Sequence, residues 1–388
     1  MSIYDFDEIM KKDFFNFIKH NKSNSKFSII SIFEKEKYHK IIEEFKSKKN
    51  FSKIEKSSMG SMLGMAIGDS MGARVEFQPL DYNFNQIKDM GEKPEGKFHL
   101  KPGQWTDDTS MGLCLADSLI ENKGIFEPKD LMMRFLMWWN CGYNNAFRFD
   151  NERYSKHSVG LGGNISGSLK YFLFSNGKDE YTKFGDKNTS GNGSIMRNAA
   201  IPLCYYRKIE NVLYFSEKQS KVTHQGDEAA GCCQLLSFII VNILKGYNLK
   251  DILNNLYRNF KCNYSSVNYL ASSLQEGNNA NRNWNWKSEN FKYSPERVKR
   301  NPGYIGSYCM DGLAMALHIL YYTTSFESAI LKAVNLRGDA DSVGSIVGQI
   351  AGAYYGIDSI PQNWIEKINK WDNNEIALRG YILCHLLD

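Results

Sequence analysis

Apolar residues recur along most of this chain with a spacing near 3.6 residues, the period of an α-helix with one buried face. Such runs predict helices over residues 110–120, 130–139, 227–244, 308–322, 326–334 and 343–355. The alternation of apolar and polar residues that marks a half-buried strand is almost absent. The sequence therefore predicts an all-α fold.

The character of the chain changes abruptly at Met59. From there Gly60, Gly64 and Gly68 follow at four-residue intervals, so they share one face of a predicted helix. Because glycine has no side chain, such a face lets a second helix approach closely. We assign residues 58–388 to one compact helical domain.

The residues before this point, 1–57, form a predicted N-terminal extension that is rich in Lys, Asn, Ser and Phe. Amphipathic helices are predicted near 7–20 and 34–48, and 46–58 is predicted to be a polar linker.

Composition narrows the class of protein. With 42% hydrophobic and 23% charged residues the chain has ample apolar material for a core, which excludes general disorder. The net charge of +5 is spread among lysines along the chain, so we expect no nucleic-acid partner. Eight scattered cysteines without a CxxC pair are typical of reduced thiols in the cytosol. We find neither an apolar segment long enough to span a bilayer nor a signal peptide, and we predict a cytoplasmic protein without a membrane partner.

Two acidic clusters stand at predicted helix starts: the first is Thr106, Asp107 and Asp108, and the second is Asp339, Asp341 and Ser342. One interpretation is helix capping, for which Asp, Ser and Thr are favoured. However, each cluster holds two carboxylates, which repel each other unless a proton or cation neutralises them. Ligands that are all oxygen atoms favour Mg²⁺, Mn²⁺ or Ca²⁺ over zinc. The clusters are therefore candidate ligands of a hard metal ion, with capping as the alternative.

A glycine-rich loop at 190–198 runs toward a helical segment and could present backbone N–H groups to a phosphate. It lacks the lysine of a P-loop, and no predicted strand precedes it. Taken alone it could equally be a turn.

Six strings of the sequence resemble, in order, the successive motifs of the ADP-ribosylglycohydrolase family. They lie at residues 64–77, 103–119, 190–203, 223–232, 303–318 and 336–356. The resemblance implies an all-α fold with a binuclear Mg²⁺ centre in a central cleft, with Mn²⁺ as the alternative ion. It also implies an enzyme that removes ADP-ribose from modified proteins or other acceptors.

The same resemblance implies roles for individual residues. The metal ligands fall on both acidic clusters: Thr106, Asp107, Asp108, Asp339, Asp341 and Ser342. The catalytic base falls on Asp107 or Asp108, and Glu76 at the mouth of the site is the competing candidate. Asp69 is expected to be a structural acid. The implied substrate contacts are Gly162, Asn164, Gly191, Asn192, Gly193, Ser194, Met196, His224 and Tyr304. His224 could also be an ordinary cap or core histidine.

Among the branches of the family, the strings are most similar to bacterial-type ADP-ribosylarginine hydrolases. One departure concerns residues 157–164, which read His-Ser-Val-Gly-Leu-Gly-Gly-Asn where many members have Phe-Asp-Ile-Gly. The missing acid is one that could pair with a guanidinium, and Asn164 or Glu76 could compensate. Serine-linked, acetyl-linked or nucleic-acid-linked ADP-ribose are alternative substrates. A non-catalytic ADP-ribose binder is the alternative class, although the intact acids favour catalysis.

The extension suggests a further partner. Some members of the family protect against ADP-ribosylating toxins, so residues 1–57 could dock on such a toxin and block it. A solvated tail is the alternative.

Overall fold

The computed structural model describes residues 2–4, 9, 13–20, 27–29 and 31–388. We number its α-helices in chain order: α1 (Phe14–His20), α2 (His39–Ser47), α3 (Lys53–Gly72), α4 (Asp107–Glu121), α5 (Pro128–Cys141), α6 (Gly163–Phe174), α7 (Ala200–Tyr205), α8 (Ile209–Lys221), α9 (Asp227–Leu244), α10 (Leu249–Asn254), α11 (Leu256–Asn259), α12 (Ser265–Ala271), α13 (Pro295–Arg300), α14 (Cys309–Tyr322), α15 (Phe326–Val334), α16 (Ala340–Tyr355), α17 (Gln362–Asp372) and α18 (Glu375–Leu383). Two short strands, β1 (Ser2–Tyr4) and β2 (Phe27–Ile29), pair in parallel. The predicted all-α class is confirmed, since the described residues form no longer strand.

The helices predicted from periodicity are present. Helices α9 and α15 have the predicted bounds, and α4, α5, α14 and α16 differ from them by at most three residues at either end. Helices α4 and α16 begin earlier than predicted because part of each acidic cluster forms the first helical turn. The acidic side chains are therefore fixed to the ends of rigid helices.

Helices α3 and α16 form the centre of the domain and run antiparallel with their backbones in contact. Gly64 faces Gly348, and Gly68 faces Gly344. A Cβ atom added to Gly68 would lie 2.0 Å from the carbonyl oxygen of Gly344, so no other residue fits without moving a helix. The close contact predicted from the glycine spacing is confirmed. It also brings the C-terminal end of α3 to the N-terminal end of α16, where the second acidic cluster lies.

Helix α9 packs against α8, α14 and α16. By length and composition alone it could cross a membrane, but 78% of it is buried inside the protein. Buried core helices often have the length and apolar composition of a membrane span, and the burial of α9 is that of a core helix.

The first helix of the domain begins earlier in the sequence than predicted. Helix α3 begins at Lys53, where Ser52 and Glu55 form a capping box, so only residues 48–52 connect it to α2. The predicted linker over 46–58 is therefore too long. Both of its ends lie in helices instead.

The described part of the extension packs against the domain. Ile32 and Phe33 are buried, and the Ser31 hydroxyl donates to Glu375 Oε2 at 2.6 Å. Farther upstream, Phe14 is also buried in α1, which contacts α5. These residues are not a solvated tail. Apart from Ile9, the part of the predicted first helix before Asp13 lies outside the described residues.

Candidate active site

Three buried carboxylates from three helices converge where α3, α4 and α16 meet. Asp69 lies in the last turn of α3, Asp108 lies in the first turn of α4, and Asp341 lies in the first turn of α16. One carboxylate oxygen of each lies within 4.8 Å of the others. We call these residues the Asp69 group.

The first acidic cluster does not cap its helix. Thr106 occupies the N-cap position of α4, yet its side chain makes no capping hydrogen bond, and the same holds for Asp339 at α16. Instead Thr106 Oγ1 lies 2.8 Å from an oxygen of Asp69, 3.2 Å from Asp108 and 3.4 Å from Asp341. A hydroxyl has one proton and can satisfy only one of these oxygens. The capping interpretation is wrong, and the remaining negative charge needs protons or a cation.

Asp69 fixes the start of α4 against α3. Its carboxylate accepts hydrogen bonds from the backbone N–H groups of Thr106 and Thr109, both at 2.9 Å. It also accepts from both threonine hydroxyls, at 2.8 and 2.7 Å. With so many protein donors, Asp69 has the contacts expected of a structural acid that orients the cluster.

A second group of carboxylates shares Asp341 with the Asp69 group. Oxygens of Glu76, Asp339 and Asp341 also lie within 4.8 Å of one another, and we call these residues the Glu76 group. Asp339 is held by the hydroxyl of Ser307 and by Asn192 Nδ2, which donates at 3.1 Å. Asp341 therefore stands between two sets of carboxylate oxygens.

Burial and mutual repulsion make these carboxylates hard to ionise. Burial, followed by the charges of neighbouring acids, raises the pKa of Asp107, Asp108 and Asp341 well above their usual range. The same causes raise the pKa of Glu76 to about 9. Within the described part of the chain, Asp108 Oδ1 and Glu76 Oε2 are buried without a hydrogen-bond partner. Unpartnered oxygens among repelling carboxylates fit a hard divalent cation, which would neutralise the charge and occupy the free oxygens.

A cavity of about 680 Å³ opens beside both groups. Its wall includes most of the predicted site residues: Glu76, Asp107, Gly162, Asn164, Gly191, Asn192, Gly193, Met196, His224, Tyr304, Asp339, Asp341 and Ser342. Thr106 and Asp108 are not part of this wall: Asp108 belongs to the Asp69 group, and Thr106 Oγ1 lies 3.2 Å from its carboxylate. The structure thus brings together residues that are far apart in the sequence.

Ser194 is the one predicted substrate contact that is not part of this wall, and its role in binding stays a prediction. Its side chain is fully buried, and its hydroxyl accepts from Ser220 Oγ at 2.8 Å and from Cys233 Sγ at 3.5 Å. The glycines before it open the loop to the cavity, and Ser194 lies at the end of the 3₁₀ turn Asn192–Ser194 and faces the core.

Two glycine-rich loops meet at the cavity. The N–H of Asn192 donates to the Ser307 carbonyl at 2.9 Å, which ties the first loop to the residues before α14. In the second loop Gly160 has a φ of +91°, and a Cβ added there would lie 2.0 Å from Asp107 Oδ1. Glycine is required here both for its backbone conformation and for its contact with the carboxylate.

The loop that departs from the family pattern does not supply the missing acid. Ser158, at the position of that acid, is buried and donates its hydroxyl proton to the Trp138 carbonyl at 2.5 Å. Asn164 lies beside Gly191. Of the two residues proposed to compensate, only Glu76 is in an acidic group.

Sequence reasoning missed several residues of the wall. Phe77 and Tyr304 pack with their ring centroids 4.9 Å apart, and the Lys97 ammonium lies 4.3 Å from the centroid of Phe77. Phe98 and Trp139 also line the cavity. Phe77 follows Glu76 in a motif string and could have been found. Lys97 and Phe98 lie in an irregular loop that carries no motif.

Comparison with known proteins identifies relatives over most of the chain. The family model described as ADP-ribosylglycohydrolase matches residues 52–385. An ADP-ribosylarginine hydrolase Tri1 of Pseudomonas putida is 32% identical over 80% of this chain and 73% of its own length. The protein of that name from Serratia proteamaculans is 30% identical over 80% and 74%. The ADP-ribosyl-[dinitrogen reductase] glycohydrolase of Rhodospirillum rubrum is 26% identical over 83% and 94%. A solved structure named ADP-ribosylglycohydrolase-related protein complex superposes with a TM-score of 0.65 at 28% identity, covering 86% of this chain and all of the other.

Proposed function

The chain belongs to the ADP-ribosylglycohydrolase family and is a hydrolase of the glycosidase type, and from this premise we propose that it removes ADP-ribose from arginine residues of modified proteins. The observation that carries the proposal is the pair of carboxylate groups that share Asp341 at the wall of a large cavity. Two Mg²⁺ ions are the proposed cofactor, with Mn²⁺ as the alternative. The sequence similarity to two ADP-ribosylarginine hydrolases supports arginine as the acceptor.

The acids and hydroxyls around Asp341 would bind the ions. The proposed ligands are Thr106, Asp107, Asp108, Asp339, Asp341 and Ser342. When bound, such ions orient ribose hydroxyls and lower the pKa of a coordinated water. Asp69 would keep the first turn of α4 in place through its hydrogen bonds with the four donor groups of Thr106 and Thr109.

Cleavage of an N-glycosidic bond develops positive charge at the ribose and needs a water molecule that loses its proton during attack. Asp107 lines the cavity, whereas Asp108 is not among the residues that line it. We therefore assign the base to Asp107 rather than Asp108. Glu76 also lines the cavity and remains the competing base.

The part of the cavity around Glu76 and Tyr304 is where we place the amino acid that carries the ADP-ribose, and it contains one acid and several aromatic rings. Glu76 stands beside the Phe77–Tyr304 pair, and a guanidinium could bind the carboxylate and stack on the exposed Tyr304 ring. Lys97, however, already places an ammonium over Phe77, and its positive charge acts on Glu76 by lowering the pKa of that carboxyl. A second cation is disfavoured there, and this observation favours a neutral acceptor such as an ADP-ribosylated serine as the second candidate.

One assay tests both candidates. Arginine-, serine- and acetyl-linked ADP-ribose are incubated with the protein in Mg²⁺ and in EDTA, together with the double variant Asp107→Ala/Asp108→Ala. We expect release from the arginine linkage in Mg²⁺ alone, and none from the variant. Release that persists in EDTA or in the double variant would refute the metal-assisted mechanism, and a preference for serine would replace the acceptor. No release from any linkage, with ADP-ribose still bound, would favour the non-catalytic binder.

We also propose that the protein acts in the cytoplasm as immunity against an ADP-ribosyltransferase toxin, with the extension as the docking surface. The outer face of α2 carries exposed charges, among them Lys40 and Glu44, that a partner could contact. Deleting the extension would also remove buried Ile32 and Phe33, so a loss of binding could reflect unfolding. Charge reversal of Lys40 and Glu44 in the full chain is the sharper test. Unchanged affinity for the transferase would exclude docking through this face.

A further inference from the structure

His224 lies in the wall of the cavity with one edge of its ring against the glycine-rich loop. A Cβ added to Gly193 would lie 3.2 Å from His224 Nε2, and one added to Gly191 would lie 3.6 Å from the same atom. Among the described residues Nε2 has no hydrogen-bond partner, while the ring lines the cavity. The atom is therefore available to a molecule bound there.

The other ring nitrogen ends a chain of hydrogen bonds that begins at a buried arginine. Arg197 Nη2 donates to Thr223 Oγ1 at 2.8 Å, and Thr223 Oγ1 lies 2.8 Å from His224 Nδ1. Arg197 itself is held by the Gln219 carbonyl at 3.0 Å and packs on the ring of Phe135. All three members of the chain are buried.

The chemistry of these groups fixes the direction of each bond. A guanidinium can only donate, so Thr223 Oγ1 accepts from Arg197 and keeps its own single proton to give away. Within the described part of the chain, His224 Nδ1 is the one partner that can accept this proton. If Nδ1 carried a proton instead, the buried threonine hydroxyl would have no acceptor.

We propose that Arg197 and Thr223 are positioning residues that hold His224 as the neutral tautomer with its proton on Nε2, so that the wall presents a hydrogen-bond donor to an acceptor oxygen of the ligand. That the oxygen belongs to the diphosphate or a ribose of ADP-ribose rests on the proposed function. Burial and the charge of Arg197 lower the pKa of His224 to about 3, so the ring stays neutral across the physiological range. The donor is therefore constant with pH.

The test uses the full chain labelled with ¹⁵N-histidine. The ring ¹⁵N shifts of His224, assigned with His224→Gln, report which nitrogen carries the proton. Thr223→Val removes the hydroxyl, and Thr223→Ser is the matched control that keeps it. We expect the Nε2–H tautomer in the wild type and in Thr223→Ser between pH 6 and 8, and a mixture of tautomers in Thr223→Val. Affinity for free ADP-ribose is expected to fall on the order of tenfold in Thr223→Val and by less than about twofold in Thr223→Ser.

A wild-type ring with its proton on Nδ1 would overturn the inference, as would a Thr223→Val protein with an unchanged tautomer. Should Thr223→Val fail to fold, the tautomer in the wild type and in Thr223→Ser still decides the question. Because the tautomer is measured without a ligand, it is separate from the proposed function. A wild type that shows the Nε2–H form but binds no ADP-ribose would contradict the function and leave the positioning role intact.

Discussion

Substitution of Gly68 by alanine tests the link between the central helix contact and the acidic groups. The new Cβ would lie 2.0 Å from the Gly344 carbonyl oxygen, where an ordinary contact needs at least 3.4 Å, so α3 and α16 must separate by about 1.4 Å at this point. Gly68 precedes Asp69, and Gly344 lies one turn from Asp341. The separation would therefore pull apart two members of the Asp69 group.

The expected cost follows from these distances. Overpacking of a close-packed core costs about 1–3 kcal/mol, and the better helix propensity of alanine offsets up to about 1 kcal/mol of that. Metal sites tolerate changes in ligand distance of only about 0.2 Å, so a shift of the size required would weaken metal binding more than it weakens the fold. We expect a modest loss of stability and a large loss of Mg²⁺ affinity.

Urea unfolding measures the first effect and titration calorimetry with Mg²⁺ the second. Gly112→Ala is the matched control, because this glycine is also buried in a helix but its added Cβ would clash with the flexible end of the Met65 side chain, and it would lie at an ordinary 3.6 Å from the Arg197 carbonyl oxygen. We expect Gly112→Ala to stay within about 1 kcal/mol of the wild type. If Gly68→Ala matched Gly112→Ala in both measurements, the α3–α16 contact would not be what positions the acids.

Three further predictions concern stability and specificity. Arg379→Met leaves the buried carboxylate of Asp117, now 2.7 Å from the guanidinium, without its main partner, so the free energy of unfolding in urea should fall by about 3–5 kcal/mol; a loss below about 1 kcal/mol would contradict this. The pKa of Asp372 is raised to about 7 by burial and by the charge of Glu375. The folded chain thus holds this proton more tightly than the unfolded chain, and stability from this group, complete below about pH 4, is lost as the pH rises to 7. Thermal unfolding of Asp372→Asn should show a weaker decline over that range, and an identical pH profile would refute the assignment. Lys97→Met should raise kcat/KM for the arginine linkage relative to the serine linkage, because it removes a competing cation; an unchanged ratio would exclude Lys97 from acceptor choice.

Local patterns predicted six of the helices by their periodicity and indicated that one helix has a close contact. Periodicity found α9 and α15 with their observed bounds, since the face of each helix that meets the core repeats every 3.6 residues. The spacing of Gly60, Gly64 and Gly68 indicated a contact, but it could not identify Gly352, Gly348 and Gly344 as its partners, because the partners are set by the fold.

Only those site residues that lie in sequence motifs could be predicted. Both acidic clusters could be recognised, yet that Asp341 belongs to two groups depends on where α3 and α16 cross. A loop motif also does not show which of its side chains turn toward the core, as that of Ser194 does. Lys97 had no local signal at all.

The extension shows the same limit. The Ser31 hydroxyl reaches Glu375 across 344 positions of sequence, a contact that no local pattern indicates. Composition changes near residue 59, but it gives no sign that the described extension residues pack on the domain.

Metal binding by the wild type and by Asp341→Asn tests the central claim most directly, because this residue is the only one common to both carboxylate groups. Titration calorimetry with Mg²⁺ and release of ADP-ribose from an arginine-linked substrate are measured on the same samples, with the exposed acid variant Asp358→Asn as the control. We expect two ions per chain and hydrolysis in the wild type and the control, and loss of both ions and of hydrolysis in Asp341→Asn. A wild type that hydrolyses the bond without binding Mg²⁺ or Mn²⁺, or an Asp341→Asn protein that keeps both ions and its activity, would contradict it.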